Sequence, residues 1–450
     1  MRRIHLGIVL AVSAVLSFSW SDRAFAASSS ELAGAKAAGL GGAFCGERRG
    51  DASSLLYNPA SLAQSSGFNI NASVVGYSYS KETNYNAYGG KNVSTSFIGA
   101  NSFLGFTNPL KPDALTNFAF AFYVPENSDV DIELNLGKAP EFNLERAYLA
   151  VKRAQQTYSV ITGMGWNLSE KISLGAASQG YYLTKSGQKF QQVSLRREGR
   201  ASADSVPRSY LAHLLQLEKA SYSAVAIGAR VGILWELSET LSWGASLAQS
   251  FFVHTEGRGR KSGSGIATDT EGIPIPPDTI EGVSGRLGTL DSVVTFDEAG
   301  PFSRFPLILR TGVSWIPSDG TKLNSDVTII NRNIWRDVER KKSYRTVANV
   351  AVGLEQKLMD KSFVAGGLFT DFDDNPPVSQ APESEARSRI DRAGLTMTFG
   401  LSEPESETAL TLIQTYGEGE SVPVEVDGRR TARRTRFLGI ATQFSLTKKI

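Results

Sequence analysis

The stretch Ser221-Tyr222-Ser223-Ala224-Val225-Ala226-Ile227-Gly228-Ala229-Arg230-Val231-Gly232-Ile233-Leu234-Trp235 decides the fold. From Val225 onward its odd positions, Val225, Ile227, Ala229, Val231, Ile233 and Trp235, are apolar. Its even positions are mostly small and include one charge, Arg230. A period of two is the geometry of an extended strand whose faces meet different media. The pattern recurs where Leu309, Thr311, Val313 and Trp315 alternate with Arg310, Gly312 and Ser314. It recurs again where Thr346, Ala348, Val350, Val352 and Leu354 oppose Arg345, Asn349, Gly353 and Glu355. An apolar face opposite a small or polar one suits a membrane barrel strand, with lipid on one side and lumen on the other.

Working outward, short turns fall at Ser169–Lys171, Ser238–Thr240, Pro317–Gly320, Met359–Lys361 and Ser402–Ser406. Longer loops are expected near 188–218, 257–303, 336–342, 374–389 and 419–432. Short turns on one side and long loops on the other are the rhythm of outer-membrane barrels. Four of the five tryptophans beyond residue 26, Trp166, Trp235, Trp243 and Trp315, sit near the short turns, where an interfacial girdle belongs. A soluble solenoid or sandwich explains neither feature. The pattern predicts strands at 68–80, 93–106, 116–125, 144–167, 171–187, 219–236, 240–256, 304–316, 321–335, 343–358, 362–373, 390–401, 407–418 and 433–446. That is about 14, an even number as such barrels require. The expected fold is all-β, an antiparallel transmembrane β-barrel with an N-terminal lumen plug.

Residues 1–26 read as a signal peptide: Arg2 and Arg3, an apolar run from Leu6 to Trp20, then Ala24-Phe25-Ala26 before the cut. The whole chain has 47 Lys+Arg and 45 Asp+Glu; removing Arg2, Arg3, Arg23 and Asp22 leaves 44 of each. A neutral chain has no global field for nucleic acid. Cys45 stands alone, so no internal disulfide forms, and it reads as a small buried apolar residue. No metal-ligand cluster or phosphate-cradling loop is present, so no cofactor is expected. An enzyme is not expected either. Gly244-Ala245-Ser246-Leu247-Ala248 lacks the second glycine of a nucleophile elbow, and His213 and His254 have no serine signature beside them.

Residues 27–67 lack the strand alternation. Asp51 is placed to cap a turn from Ala52 to Tyr57, and Asn58 a second turn that starts with Pro59. Gly39, Gly41 and Gly42 permit close backbone approach. A compact segment ahead of a wide barrel reads as a plug. The domains are therefore 1–26 signal peptide, 27–67 plug and 68–450 outer-membrane barrel. Gly41-Gly42-Ala43-Phe44 followed by Asp51-Ala52-Ser53-Ser54-Leu55-Leu56-Tyr57-Asn58-Pro59-Ala60-Ser61-Leu62-Ala63 resembles the N-terminal hatch of the FadL-type outer-membrane transporters. Asn58-Pro59-Ala60 matches that family's N-P-A motif. Ile227–Ser250 and Phe363–Val378 are similar more diffusely. The chain departs from the family at Ser61, where glycine is usual, and at its end, where Phe444 stands in for a terminal aromatic read by the barrel-assembly machinery. The resemblance implies a 14-stranded barrel carrying long-chain fatty acids, or aromatic hydrocarbons in some members, by passive diffusion, with Asn58, Pro59 and Ala60 in the gating hatch.

Two apolar stretches fall in expected external loops. Leu211, Leu214, Leu215 and Leu217 cluster at near-helical spacing. Ile266, Ile273, Ile275, Ile280, Val283, Leu287, Leu290, Val293, Val294 and Phe296 follow in the next loop. The resemblance implies a groove between these loops that first captures the acyl chain; the alternative is a lid packed on itself. Arg230 and Arg310 face the lumen by parity, either as forks for a ligand carboxylate or as partners of lumen acids such as Glu355. Basic runs at Arg196–Arg200, Arg258–Lys261, Arg340–Lys342 and Arg429–Arg436 suit lipopolysaccharide phosphates, or are solvated loop charge. The resemblance also implies that ligand leaves sideways where the third strand kinks, and Pro125 marks such an irregularity. A non-transport barrel that assists secretion or surface assembly remains the alternative function.

Overall fold

The computed structural model describes residues 32–87, 90–98, 102–109, 116–136, 144–201, 207–268, 280–281, 290–296, 305–331, 345–375, 378, 388–421, 425–426, 429–430 and 433–449. The expected signal peptide lies outside them. Helix α1 (Ala35–Gly39), helix α2 (Ser54–Tyr57) and a 3-10 turn (Pro59–Gln64) come first. Strands follow: β1 (Asn69–Ala87), β2 (Gly90–Ile98), β3 (Ser102–Pro109), β4 (Thr116–Leu136), β5 (Leu144–Asn167), β6 (Ile172–Ala201), β7 (Pro207–Glu236) and β8 (Leu241–Thr268). Then come β9 (Ile280–Glu281), β10 (Leu290–Phe296), β11 (Leu307–Ser318), β12 (Thr321–Asn331), β13 (Val347–Met359), β14 (Ser362–Asp371), β15 (Ser388–Ser402) and β16 (Ser406–Ser421). β17 (Glu425–Val426), β18 (Arg429–Arg430) and β19 (Arg433–Lys449) complete the order.

The strands form a closed antiparallel barrel of 14 strands. β1 pairs with β19 from Asn69↔Lys449 to Asn84↔Thr435, and this pairing closes the ring. β2 and β3 share one place in the ring, since both lie between β1 and β4. β10 and β11 likewise share the place beside β8. β9 adds a short pairing to β6, and β17 and β18 form a separate hairpin.

The alternation read from the sequence holds around the ring. Val225, Ile227, Val231 and Trp235 are exposed on the outer face while Tyr222, Ala224, Ala226, Arg230 and Leu234 are buried inside. Leu309, Val313 and Trp315 face out; Arg310 and Ser314 face in. Trp235 pairs directly with Trp243, and Val313 with Trp243, beside the short turns. The five short turns lie where expected. No described helix is long and apolar enough to cross a membrane.

Four element expectations need correction. The loop expected at 188–218 is mostly sheet: β6 and β7 each run for 30 residues and pair from Ile172↔Trp235 to Arg200↔Pro207. The leucines at near-helical spacing therefore lie on a strand, because β6 and β8 supply ladder partners on both sides and satisfy the backbone. Much of the loop expected at 257–303 is also strand, in the upper part of β8 and in β10. The third predicted strand passes Pro125 and continues to Leu136, with the β4–β5 register shifting between Tyr123 and Glu126. A bulge absorbs the residue without an N–H, so the strand bends there instead of ending.

Candidate functional site

The N-terminal segment lies inside the barrel, in the half nearest the short turns. Its backbone is bonded both within the segment and by side chains that point in from the wall. Ser242 Oγ donates to the Gly46 carbonyl at 2.8 Å, Ser246 Oγ to Tyr57 at 2.6 Å, and Thr396 Oγ1 to Gly39 at 3.0 Å. Asn324 Nδ2 donates to Ala43 at 3.0 Å, and the Ala52 N–H to Asn71 Oδ1 at 3.2 Å. Asn117 Nδ2 donates to the carbonyls of Leu62, Ala63 and Ser65 at 2.8, 3.1 and 2.9 Å. Asp326 Oδ2 accepts from Phe44 and Cys45 N–H at 2.9 and 2.8 Å. The segment is thus tied at many points, because an enclosed backbone must find partners for its polar groups.

Asn58 joins three parts of the site. Its Oδ1 accepts from the Ala60 N–H at 3.1 Å, capping the turn that Pro59 opens, as the sequence predicts. Its Nδ2 donates to Cys45 at 2.9 Å and to Ile233 on β7 at 3.0 Å. A side chain at Gly232 would collide with Asn58 Oδ1, and one at Gly175 with the Pro59 backbone, so the wall is bare where the motif docks. Gly42, at φ 90, takes a backbone conformation that side-chain-bearing residues disfavour. Asp51 accepts from Ser53 N–H at 2.8 Å, but α2 begins only at Ser54, so the N-cap position is Ser53, two residues later than expected, and it makes no side-chain cap bond.

Ion pairs brace the same layer. Glu47 meets Lys322 at 3.2 Å, Lys322 meets Glu355 at 3.7 Å, and Lys36 meets Glu407 at 4.0 Å. Burial opposes ionisation of Glu47, but Lys322 and then Lys36 hold its carboxyl below the usual range. Glu407 foremost pushes the Lys36 ammonium up. Glu355 thus pairs with Lys322, not with Arg230 or Arg310 as the sequence suggested. Arg310 Nε donates to Thr328 Oγ1 at 3.0 Å and its guanidinium lies 4.8 Å from the centre of the Tyr57 ring. Cys45 is fully buried beside this group, and burial pushes its thiol up.

Above the segment is a cavity. Its floor includes Leu55; its wall includes Ile161, Tyr181, Ile308 and Phe305, with Arg230, Gln179 and Gln249 as polar members. The two arginines singled out by parity therefore separate: Arg230 lines the cavity, and Arg310 braces the segment beneath. The two apolar stretches come together in register. β8 is flanked by β7 and β10, so that Gly263 pairs with Gln216 on one side and Leu290 on the other; Arg260 likewise joins Lys219 and Val293, and Gly257 joins Tyr222 and Phe296. Leu211 and Leu214 lie opposite Thr268 and Gly265, and Leu215, half-exposed, lies opposite Ser264. Of the basic runs, Arg434 and Arg436 pair with Glu418 at 2.8 and 2.9 Å, and Arg258 with Glu256 at 3.3 Å. Residues 340–342 lie outside the described residues. Sequence reading missed Asp326 and Phe305. Asp326 carried a signal, an acid at an inward position; Phe305 carried none.

No protein-family model matches the chain, and no curated protein matches it by sequence. Solved structures do. A FadL homologue of Pseudomonas aeruginosa is 14% identical, with a TM-score of 0.55 over 93% of this chain and 98% of that one. The P. putida toluene transporter TodX is 13% identical, with a TM-score of 0.60 over 92% and 97%. The CymD monoaromatic hydrocarbon channel is 15% identical, with a TM-score of 0.52 over 93% and 98%. At these identities the likeness bears on architecture, and it agrees with the outward apolar belt and the closed strand ring: this chain is an outer-membrane β-barrel with the fold of the FadL-type transporters.

Proposed function

We propose that this barrel carries small hydrophobic molecules across the outer membrane by diffusion, long-chain fatty acids or monoaromatic hydrocarbons among them. The observation that carries the reading is the cavity that ends on Leu55 of the N-terminal segment, with Ile161, Tyr181, Phe305 and Ile308 on its wall beside the polar Arg230, Gln179 and Gln249. A chamber bounded below by a bonded layer, with aromatic and aliphatic side chains on its wall, suits cargo driven by its own partition out of water. The shared fold with a FadL homologue and with channels named for toluene and monoaromatic hydrocarbons supports the same class of cargo. In this reading the segment 27–67 is the closing element, and cargo turns sideways rather than clearing every bond beneath it. The bulge at Val124–Pro125, beside the place shared by β2 and β3, is a point of weakened pairing suited to that turn.

The test is a planar-bilayer and uptake pair. Deleting residues 27–67 from the refolded barrel is expected to raise single-channel conductance sharply. The intact chain is expected to speed entry of radiolabelled palmitate or toluene into vesicles above a protein-free control. Unchanged conductance removes the closing role. Failure to speed either probe removes transport and favours an accessory barrel for secretion or surface assembly.

A further inference from the structure

Phe305 is on the wrong side of the wall. β11 sends its odd residues outward, Leu309, Val313 and Trp315 among them, and its even residues inward. Extended back, the alternation puts Phe305 outside. Instead Phe305 is buried against the inward-facing Leu183, Ala224 and Ala226. Its ring lies 5.3 Å from that of Tyr181 with planes 29° apart, and 4.7 Å from that of Phe252 at 35°.

Two local features bring it in. Pro306 has no N–H for the ladder, and the described β11–β8 pairing begins at Ile308↔Ala248. Gln249 Nε2 donates instead to the Phe305 carbonyl at 3.3 Å, a side chain doing what the ladder does elsewhere. On the far edge of β8 the register steps from Val225↔His254 to Ala226↔Phe252, leaving Val253 as an extra residue. Phe252 points inward beside Phe305 by the same even parity as Ser246 and Ala248, ahead of the bulge, while Phe251 and Val253 stay exposed on the outer face.

The cavity above Leu55 reaches this point of the wall, where Gln249, Ser250, Pro306 and Ile308 border it. The outer face at the same level carries Ile227, Phe251 and Val253, so the wall here meets hydrocarbon and not water.

We propose that the cage of Tyr181, Phe252, Leu183, Ala224 and Ala226 is a binding site for a single aromatic ring, held at rest by the chain's own Phe305, and that a monoaromatic ligand displacing that ring opens a passage between β8 and β11 into the membrane. The proposal rests on the transport reading for its use, but the exchange itself stands on packing. One ring leaves and another enters, so the aromatic contacts and buried area lost with Phe305 are regained with the ligand, and the displaced side chain moves into lipid rather than water. A linear alkyl chain fills the space without restoring the ring–ring geometry, and so exchanges less readily.

The direct test places 4-fluorophenylalanine at position 305 of the refolded barrel in lipid nanodiscs and titrates toluene. The fluorine resonance is expected to shift to a second position that a lipid-soluble spin probe broadens, with octane producing less of it at equal membrane concentration. A resonance unmoved by toluene, or moved equally by octane, overturns the site. The uptake arm uses Phe305→Leu, which keeps apolar volume and removes the ring. It is expected to raise toluene entry several-fold over wild type while the barrel keeps its heat-sensitive gel mobility. Toluene entry at or below the wild-type rate overturns the passage. A moving resonance together with no toluene entry in wild type overturns transport and the passage while leaving the ring site in place.

Discussion

At the scale of single residues, Asn58 and Asp326 do the work of a docking surface. Each carries several bonds to backbone groups that have no water to fall back on. Leaving a buried donor or acceptor unpaired costs about 1–3 kcal/mol. Asn58→Ala unpairs groups on Ala60, Cys45 and Ile233 together. Cys45 reports the result: its thiol is buried and pushed up by burial, so the native barrel is expected to resist a maleimide at neutral pH. Asn58→Ala is expected to speed labelling roughly ten- to hundredfold by easing local opening of the segment. Labelling as slow as in wild type would show that the segment is held without Asn58. The cap on Ala60 was legible in the sequence because Asn-Pro is a local signal. The bonds to Cys45 and Ile233 were not, since they join residues that meet only when the barrel closes.

At the scale of elements, the ion pair between the N-terminal segment and β12 gives a pH dependence with a definite sign. Glu47 has a folded-state pKa below its ordinary value, so its contribution is fully present above that ordinary value and is lost as pH falls through the lowered one. The segment is therefore expected to stay docked from neutral to mildly acid pH and to loosen below about pH 4, where an ordinary glutamate protonates. Cys45 labelling across pH, corrected for thiolate fraction, measures it. Glu47→Gln is expected to loosen the segment already at neutral pH and to flatten the acid response; a profile identical to wild type would remove the pair from the docking. The external elements carry a second prediction. Leu214 and Leu290 lie on strands that flank β8 at neighbouring steps of the ladder. If that patch captures cargo, Leu214→Asp or Leu290→Asp is expected to weaken palmitate binding to the purified barrel at least tenfold, since each buried methylene contributes about 0.8 kcal/mol. Unchanged binding would leave the patch as wall only. Leucine spacing had pointed to a helix here. Ladder partners on both sides decide for strand, and spacing within one segment carries no information about partners.

At the scale of the whole molecule, pairing of β1 with β19 joins the first and last strands and closes the ring. The barrel is expected to survive unheated SDS and to migrate differently after boiling; a chain that ran identically in both would not be closed. The alternation, the short turns and the strand count were determined by the sequence itself. Each depends on the media that a residue's two faces meet or on neighbours a few positions away, and both are written locally. What only the tertiary structure decided is who meets whom across the lumen. Asp326 reaches Phe44 across 282 positions of chain. Arg230 and Arg310 share a parity and yet part company, one to the cavity and one to the segment. Phe305 breaks its parity and turns inward. Such contacts are fixed by the register of the closed ring and by the volume the N-terminal segment leaves unfilled, and neither quantity exists until all the strands are in place.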